Sequence, residues 1–245
     1  MTAAATTATA RRVLTQLRRD RRTLALLLFV PAVLVTLLRF VFDGQPGTFD
    51  RIGGPLIGLF PFITMFLVTS ITMLRERTGG TLERLMSMPV GKLDVLLGYG
   101  IAFAIVAAAQ AGLTAGVAFL ALGLDVAGSP VAVVGLAIGN AVLGMSLGLF
   151  VSAFATSEFQ AVQFMPAFVM PQLILCGLFV ERDQMAGLLE AVSNALPLSY
   201  AFDALDRIAA SGDFGARGAL DVAVIVGVTL LALGLGALTL RRRTA

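Results

Sequence analysis

Six long apolar runs, at residues 23–42, 52–74, 95–124, 130–155, 161–180 and 221–240, leave this chain few ways to fold. Each is near or above the roughly 20 residues that a helix rising about 1.5 Å per residue needs to cross about 30 Å of hydrocarbon. Buried strands or core helices are the other outlet for apolar sequence, but these runs are too long and continuous for either, and membrane helices tolerate the Gly and Pro they contain. With 58% hydrophobic and only 13% charged residues, the chain has about half the charge of a soluble domain. The expectation is an all-α polytopic membrane protein, a single transmembrane domain over residues 1–245 with six transmembrane helices. "LLRFVFDGQPG" offers no small-residue cleavage site, so the first run is read as a retained span and not a signal peptide.

Lys and Arg outside the runs set the orientation. Arg11, Arg12, Arg18, Arg19, Arg21 and Arg22 precede the first run; Arg75, Arg77, Arg84 and Lys92 follow the second; Arg241, Arg242 and Arg243 end the chain. All fall on one side if six spans alternate, whereas the opposite loops hold only Arg51, Arg182, Arg207 and Arg217. The positive-inside rule then places both termini in the cytoplasm. The net charge of +3 is thus a topology signal, and a nucleic-acid partner is not expected.

Within "ARRVLTQLRRDRR" (10–22), Val13, Leu14 and Leu17 share a helical face with Ala10, and Arg18 and its neighbours surround it. This suits an interfacial helix, apolar face toward the membrane and cations among anionic headgroups. A plain basic anchor is the other reading. Residues 1–9 are low-complexity and are expected to be disordered.

Much chemistry is missing. The chain has no His and one cysteine, Cys176, so Cys/His metal sites, intrachain disulfides and His-based triads are excluded. No catalytic or metal-binding residue is proposed. The only lysine, Lys92, follows "SMPVG" and lacks the glycine spacing of a phosphate-binding loop. What remains is a helical bundle with small-residue spacings at Gly54/Gly58, Gly112/Gly116, Gly135/Gly139 and Gly144/Gly148. Thr64, Ser70, Gln110, Asn140, Gln163 and Gln172 lie at membrane depth. They are candidates to line a pathway, with interhelical hydrogen bonding as the alternative.

Pro166 and Pro171 interrupt the fifth run. After it, residues 183–212 hold two segments of helical periodicity, too short or too polar to span, broken at Pro197. They are read as outer re-entrant helices, which survive only where protein or water shields the backbone, or else as surface helices of an exposed loop.

The stretch "RERTGGTLERLMSMP" resembles the E-R-x-x-G-T-L-E-x-L-x-x-x-P segment between spans two and three of type-2 ABC (ABC-2) exporter permeases, with Glu76, Arg77, Gly80, Thr81, Leu82, Glu83, Leu85 and Pro89 in register. "FMPAFVMPQLILCGLF" followed by "LPLSYAFDALDRI" is similar to that family's fifth span and re-entrant turn, marked here by Pro197 and Tyr200. The daunorubicin-resistance type is the nearest variety. The chain departs in carrying "FVERDQM" where a proline often follows span five.

The resemblance implies a transport subunit with no ATPase site of its own, in a bacterial cytoplasmic (inner) membrane. ATP and Mg would sit on separate ABC ATPase subunits. A second copy or a paralogous permease would complete the dimer, and the cargo would be a small amphipathic drug, antibiotic or lipid. Residues 78–89 would be a coupling helix: Gly79 and Gly80 break the span, Thr81 caps, Leu82, Leu85 and Met86 form an apolar face, Glu83 and Arg84 add charged contacts, and Pro89 ends it. An ATP-independent channel or secondary transporter, or a membrane anchor for a cytoplasmic partner, is the alternative.

Overall fold

The computed structural model describes residues 3–45, 47–87 and 91–239. Every regular element among them is helical. The first, α1 (Ala3–Arg19), starts inside the stretch expected to be disordered. Low complexity misleads here because alanine, which fills most of residues 3–10, forms helix without any periodic pattern. Alanine has the best intrinsic propensity, and the Thr7 and Thr9 hydroxyls donate to the carbonyls of Ala3 and Ala5, 2.9 Å each. Thr6 and Thr9 are also buried, Thr9 against Gly98.

Asp20 ends α1 and starts α2 (Arg21–Val41), its carboxylate accepting from the Thr23 N–H at 3.1 Å and hydroxyl at 2.6 Å. This cap turns the chain within one residue. The next elements are α3 (Thr48–Thr78), α4 (Thr81–Ser87) and α5 (Lys92–Gly116), the last running on as a π-helical turn to Ala121. Then come α6 (Pro130–Val151), α7 (Glu158–Phe164) and α8 (Met170–Leu175), with a π-helical turn at Met165–Val169 between the last two. The chain closes with α9 (Gly187–Ala195), α10 (Pro197–Ala210) and α11 (Gly215–Thr239).

Among the described residues five helices are long and apolar enough to cross a membrane: α2, α3, α5 with its π extension, α6 and α11. They overlap five of the six expected spans. The run at 161–180 is different: its helix begins at Glu158, loosens into a π turn where Pro166 withholds an N–H, and stops at Leu175. Residues 176–180 are not helical.

Burial ranks the helices. In their apolar windows α3 and α6 are 61% buried, α2 and α11 only 22%. The inner pair meets through glycine. A Cβ at Gly144 would run into the Phe62 carbonyl and one at Gly148 into the Phe66 carbonyl, and the Thr69 hydroxyl donates to Met65 O (2.6 Å) and Met145 O (3.2 Å). Gly54 and Gly58 likewise admit Ala209 and Leu205 of α10. Gly112, Gly116, Gly135 and Gly139 face open space, so only two of the four small-residue pairs work within this chain.

Candidate functional site

The turn after α3 is built by its glycines. The Gly79 N–H donates to Arg75 O at 2.8 Å, and Gly80 has φ +71°, a left-handed conformation that strains residues bearing a side chain. The first bond of α4 runs from the Arg84 N–H to Gly80 O, so Thr81 is the first residue of the helix and not its cap. The expected 78–89 element therefore spans Thr81–Ser87; Pro89 and the side chains of Glu83 and Met86 lie outside the described residues.

Leu82 departs most from expectation. It is 7% exposed and packs into a core formed with Val13 and Leu17 of α1 and with Val95 and Tyr99 of α5, with Leu85 partly buried beside it. Leu82 holds α4 to this chain, and Arg84 is exposed. The apolar face of α1 is covered in the same way. Val13 (2%) and Leu17 (8%) lie in that core and Leu14 packs on its edge, so the face read as membrane-directed rests on α5, while Arg11, Arg18 and Arg19 stay exposed.

Beneath α4 a charged junction ties three helices. Glu76, 8% exposed near the end of α3, is 3.5 Å from the Arg12 guanidinium of α1. Arg12 donates to the Tyr99 hydroxyl of α5 and lies over its ring, 5.6 Å from the centroid. One turn away the Thr6 hydroxyl reaches Asp94 at 3.4 Å, and Asp94 accepts from the Gly91 N–H at 3.3 Å, capping α5. Arg77 reaches Thr239 at the far end of α11 at 3.2 Å. Both flanks of α4 are thus tied to α1. Sequence reasoning passed over Arg12, Glu76, Asp94 and Tyr99 as site residues. One signal was available: Tyr99 is one of only two tyrosines, placed just inside an apolar run where its hydroxyl needs a partner.

None of the six candidate pathway residues lines the main cavities among the described residues. Thr64 accepts from the Gln110 amide, tying α3 to α5. The Ser70 hydroxyl donates to Leu67 O, and the Gln172 amide to Phe168 O at 3.1 Å. Ser70, Gln110, Asn140 and Gln172 are all buried in this chain, and the amide of Asn140 finds no hydrogen-bond partner among the described residues. Gln163 alone is exposed. Of these six residues, only Thr64 and Gln110 share an interhelical side-chain hydrogen bond among the described residues.

A family profile described as "ABC-2 type transporter" matches residues 4–208, from the start of α1 to near the end of α10. The chain belongs to the ABC-2 type transporter family. Among its relatives is an Escherichia coli (strain K12) protein named probable multidrug ABC transporter permease YbhS, 24% identical over 178 residues, 72% of this chain and 47% of that protein. YbhR of the same strain, with the same descriptive name, is 27% identical over 153 residues, 62% of this chain and 42% of its own. ABC transporter G family member 20 of Dictyostelium discoideum is 24% identical over 171 residues, covering 69% and 23%. The chain therefore spans about half or less of the curated relatives it matches.

The ABC-2 match takes in the α9–α10 corner. Leu196 alone separates the two helices, and Pro197 opens α10 where its missing N–H costs nothing. The Tyr200 hydroxyl donates to Asn194 O at 2.7 Å, and Ser193 Oγ bonds Leu175 O (2.7 Å) and Ser199 Oγ (3.0 Å), pinning the corner to the end of α8. Buried Leu198, Phe202, Leu205 and Ile208 give α10 an inward face.

Proposed function

We propose that the chain is the membrane-spanning permease subunit of an ABC-2 type exporter, moving a small amphipathic drug, antibiotic or lipid at the expense of ATP hydrolysed, with Mg, on separate ABC ATPase subunits. The observation that carries this reading is the family match over residues 4–208 of a chain whose helices are membrane-like. The naming of YbhS and YbhR as multidrug permeases supports the cargo class, and their presence in one bacterium supports pairing with a paralogue as well as with a second copy.

The permease crosses six times. Supporting a sixth crossing, Glu158 at the start of α7 pairs with Arg75 near the end of α3 at 2.8 Å, while residues 177–182 after α8 line a cavity with Arg51 and Ile52 near the start of α3. The α9–α10 pair is then re-entrant from the outer side, and the basic ends of α1, α3 and α4 are cytoplasmic. ATPase subunits press on α4, and the Arg12–Glu76–Tyr99 junction passes that movement to α3, α5 and α1. Their closure shifts the permease between two states that differ in affinity for cargo.

Because Leu82 is internal and Leu85 packs beside it, the test uses Arg84. In detergent-purified complexes with candidate ABC ATPase subunits, Arg84→Glu is expected to weaken association or substrate-stimulated hydrolysis while the thermal midpoint of the permease alone holds. Failure of the native chain to associate with any ABC ATPase sinks the exporter reading and brings the channel or anchor forward.

A further inference from the structure

The four arginines that break the positive-inside pattern are not scattered. Arg51 near the start of α3, Arg182 after α8 and Arg217 near the start of α11 line one cavity of about 680 Å³. Arg207 of α10 stands beside it, 3.9 Å from Asp221. That volume is in the range of small-molecule sites, about 300–1,000 Å³. Facing them in the lining are Asp203 and Asp206 of α10 and the loop acids Glu181 and Asp183.

These charges are only partly used. Arg182 pairs with Asp203 at 2.5 Å and lies over the Tyr200 ring, yet its Nη1 is buried without a hydrogen-bond partner. The side chains of Arg51, Arg217 and Asp206 make no hydrogen bond and no ion pair within 4 Å among the described residues, although Arg51 acts on Asp206, and Arg217 on Asp221, from farther away. Three guanidiniums against four carboxylates leave the lining near neutral, at net −1 when all are ionised. A purely anionic guest meets the carboxylates and a purely cationic one the guanidiniums. A guest carrying both charges a few ångströms apart satisfies both sets, with bidentate guanidinium contacts suited to a phosphate. Beside the charges, Phe179 (69% exposed) and Val180 (47%) form an apolar bank with Leu178.

We infer that this cavity binds the zwitterionic head group of an amphiphile, a phosphate at Arg51 and Arg217 with an ammonium at Asp206, and its hydrocarbon along Phe179 and Val180. The site rests on the proposed topology only for its placement on the outer side. Two sources share this chemistry: a resident phosphatidylethanolamine of the outer leaflet, or cargo on its way out.

The purified full chain, without any ATPase, is titrated with short-chain phosphatidylethanolamine, phosphatidylglycerol and an alkyltrimethylammonium, and binding is read by native mass spectrometry. The expected result is phosphatidylethanolamine bound at least about fivefold tighter than either singly charged amphiphile. Arg51→Gln with Arg217→Gln, both at exposed positions, is expected to weaken it about tenfold with the thermal midpoint unchanged. Equal binding of all three, or no loss in the double variant, overturns the assignment. Neither result depends on ATPase association, so the exporter reading can fail while this one stands. Where the site holds, ATP-dependent movement of labelled phosphatidylethanolamine in proteoliposomes of the complex identifies cargo, and its co-purification without movement identifies a resident lipid.

Discussion

Neutralising Glu76 tests whether the α1–α3–α5 junction is a mechanical unit. The Arg12–Glu76 separation of 3.5 Å corresponds to an attraction of about 5 kcal/mol at an effective dielectric near 20. Desolvation takes back much of this, since the Glu76 side chain is only 10% exposed, and Arg12, at 29%, keeps part of its hydration. A double-mutant cycle of Arg12→Gln and Glu76→Gln should therefore return a coupling of about 1–3 kcal/mol. With no tryptophan in the chain, unfolding in detergent is best followed by far-UV circular dichroism. Each single variant is expected to destabilise more than the double variant requires, because it strands one charge. In the ATPase complex, both singles should lower substrate-stimulated hydrolysis more than basal hydrolysis. A coupling below about 0.5 kcal/mol would falsify the claim that charge ties these helices, leaving apolar packing to do it.

Two further expectations follow from packing and titration. Gly148→Ala, whose methyl meets the Phe66 carbonyl and Thr69 hydroxyl, should cost about 1–3 kcal/mol, whereas Gly139→Ala, in open space, should be neutral or slightly stabilising; equal melting of the two refutes the α3–α6 contact. Asp203 lies on α10, outside the five long spans, and burial pushes its carboxyl up to about 6, with Asp221 and Asp206 reinforcing and Arg182 and Arg207 opposing the shift. Because the folded state then holds a proton the unfolded chain has released, stability from this group is present below the ordinary aspartate range and is lost as pH rises through about 6. Asp203→Asn should flatten the stability profile between about pH 4 and 6; an unchanged slope assigns the effect to other carboxylates.

How much of this was legible beforehand depends on what fixes each feature. Length and apolarity located the long helices because a helix must satisfy its own backbone in lipid, whatever its neighbours. Pro166 and Pro171 marked the broken segment for the same local reason. Periodicity identified the apolar side of α1, but an apolar stripe does not name what covers it, and here Gly98 and Tyr99 of α5 do. Leu82 was misplaced likewise: its spacing made it a partner-facing residue, while the core of the chain claims it. Asn140 and Gln172 carried no signal separating a pathway from a buried interface, since both need polar groups at membrane depth. The outer arginines were visible as exceptions to a charge rule, and only the folding of α10 back onto α3 and α11 brings them together.

The docking of α1 on α5 also orders events during synthesis. Thr6 and its partner Asp94 are 88 residues apart, so at about 5–20 residues per second α1 leaves the ribosome on the order of 5–20 s before its seat exists. For that interval the Val13–Leu17 face has nothing of its own chain to cover it. The membrane surface is the nearest apolar shelter, and the arginines around the face are suited to hold it there. Once α5 is made, the same face has a seat within its own chain, against Gly98 and Tyr99.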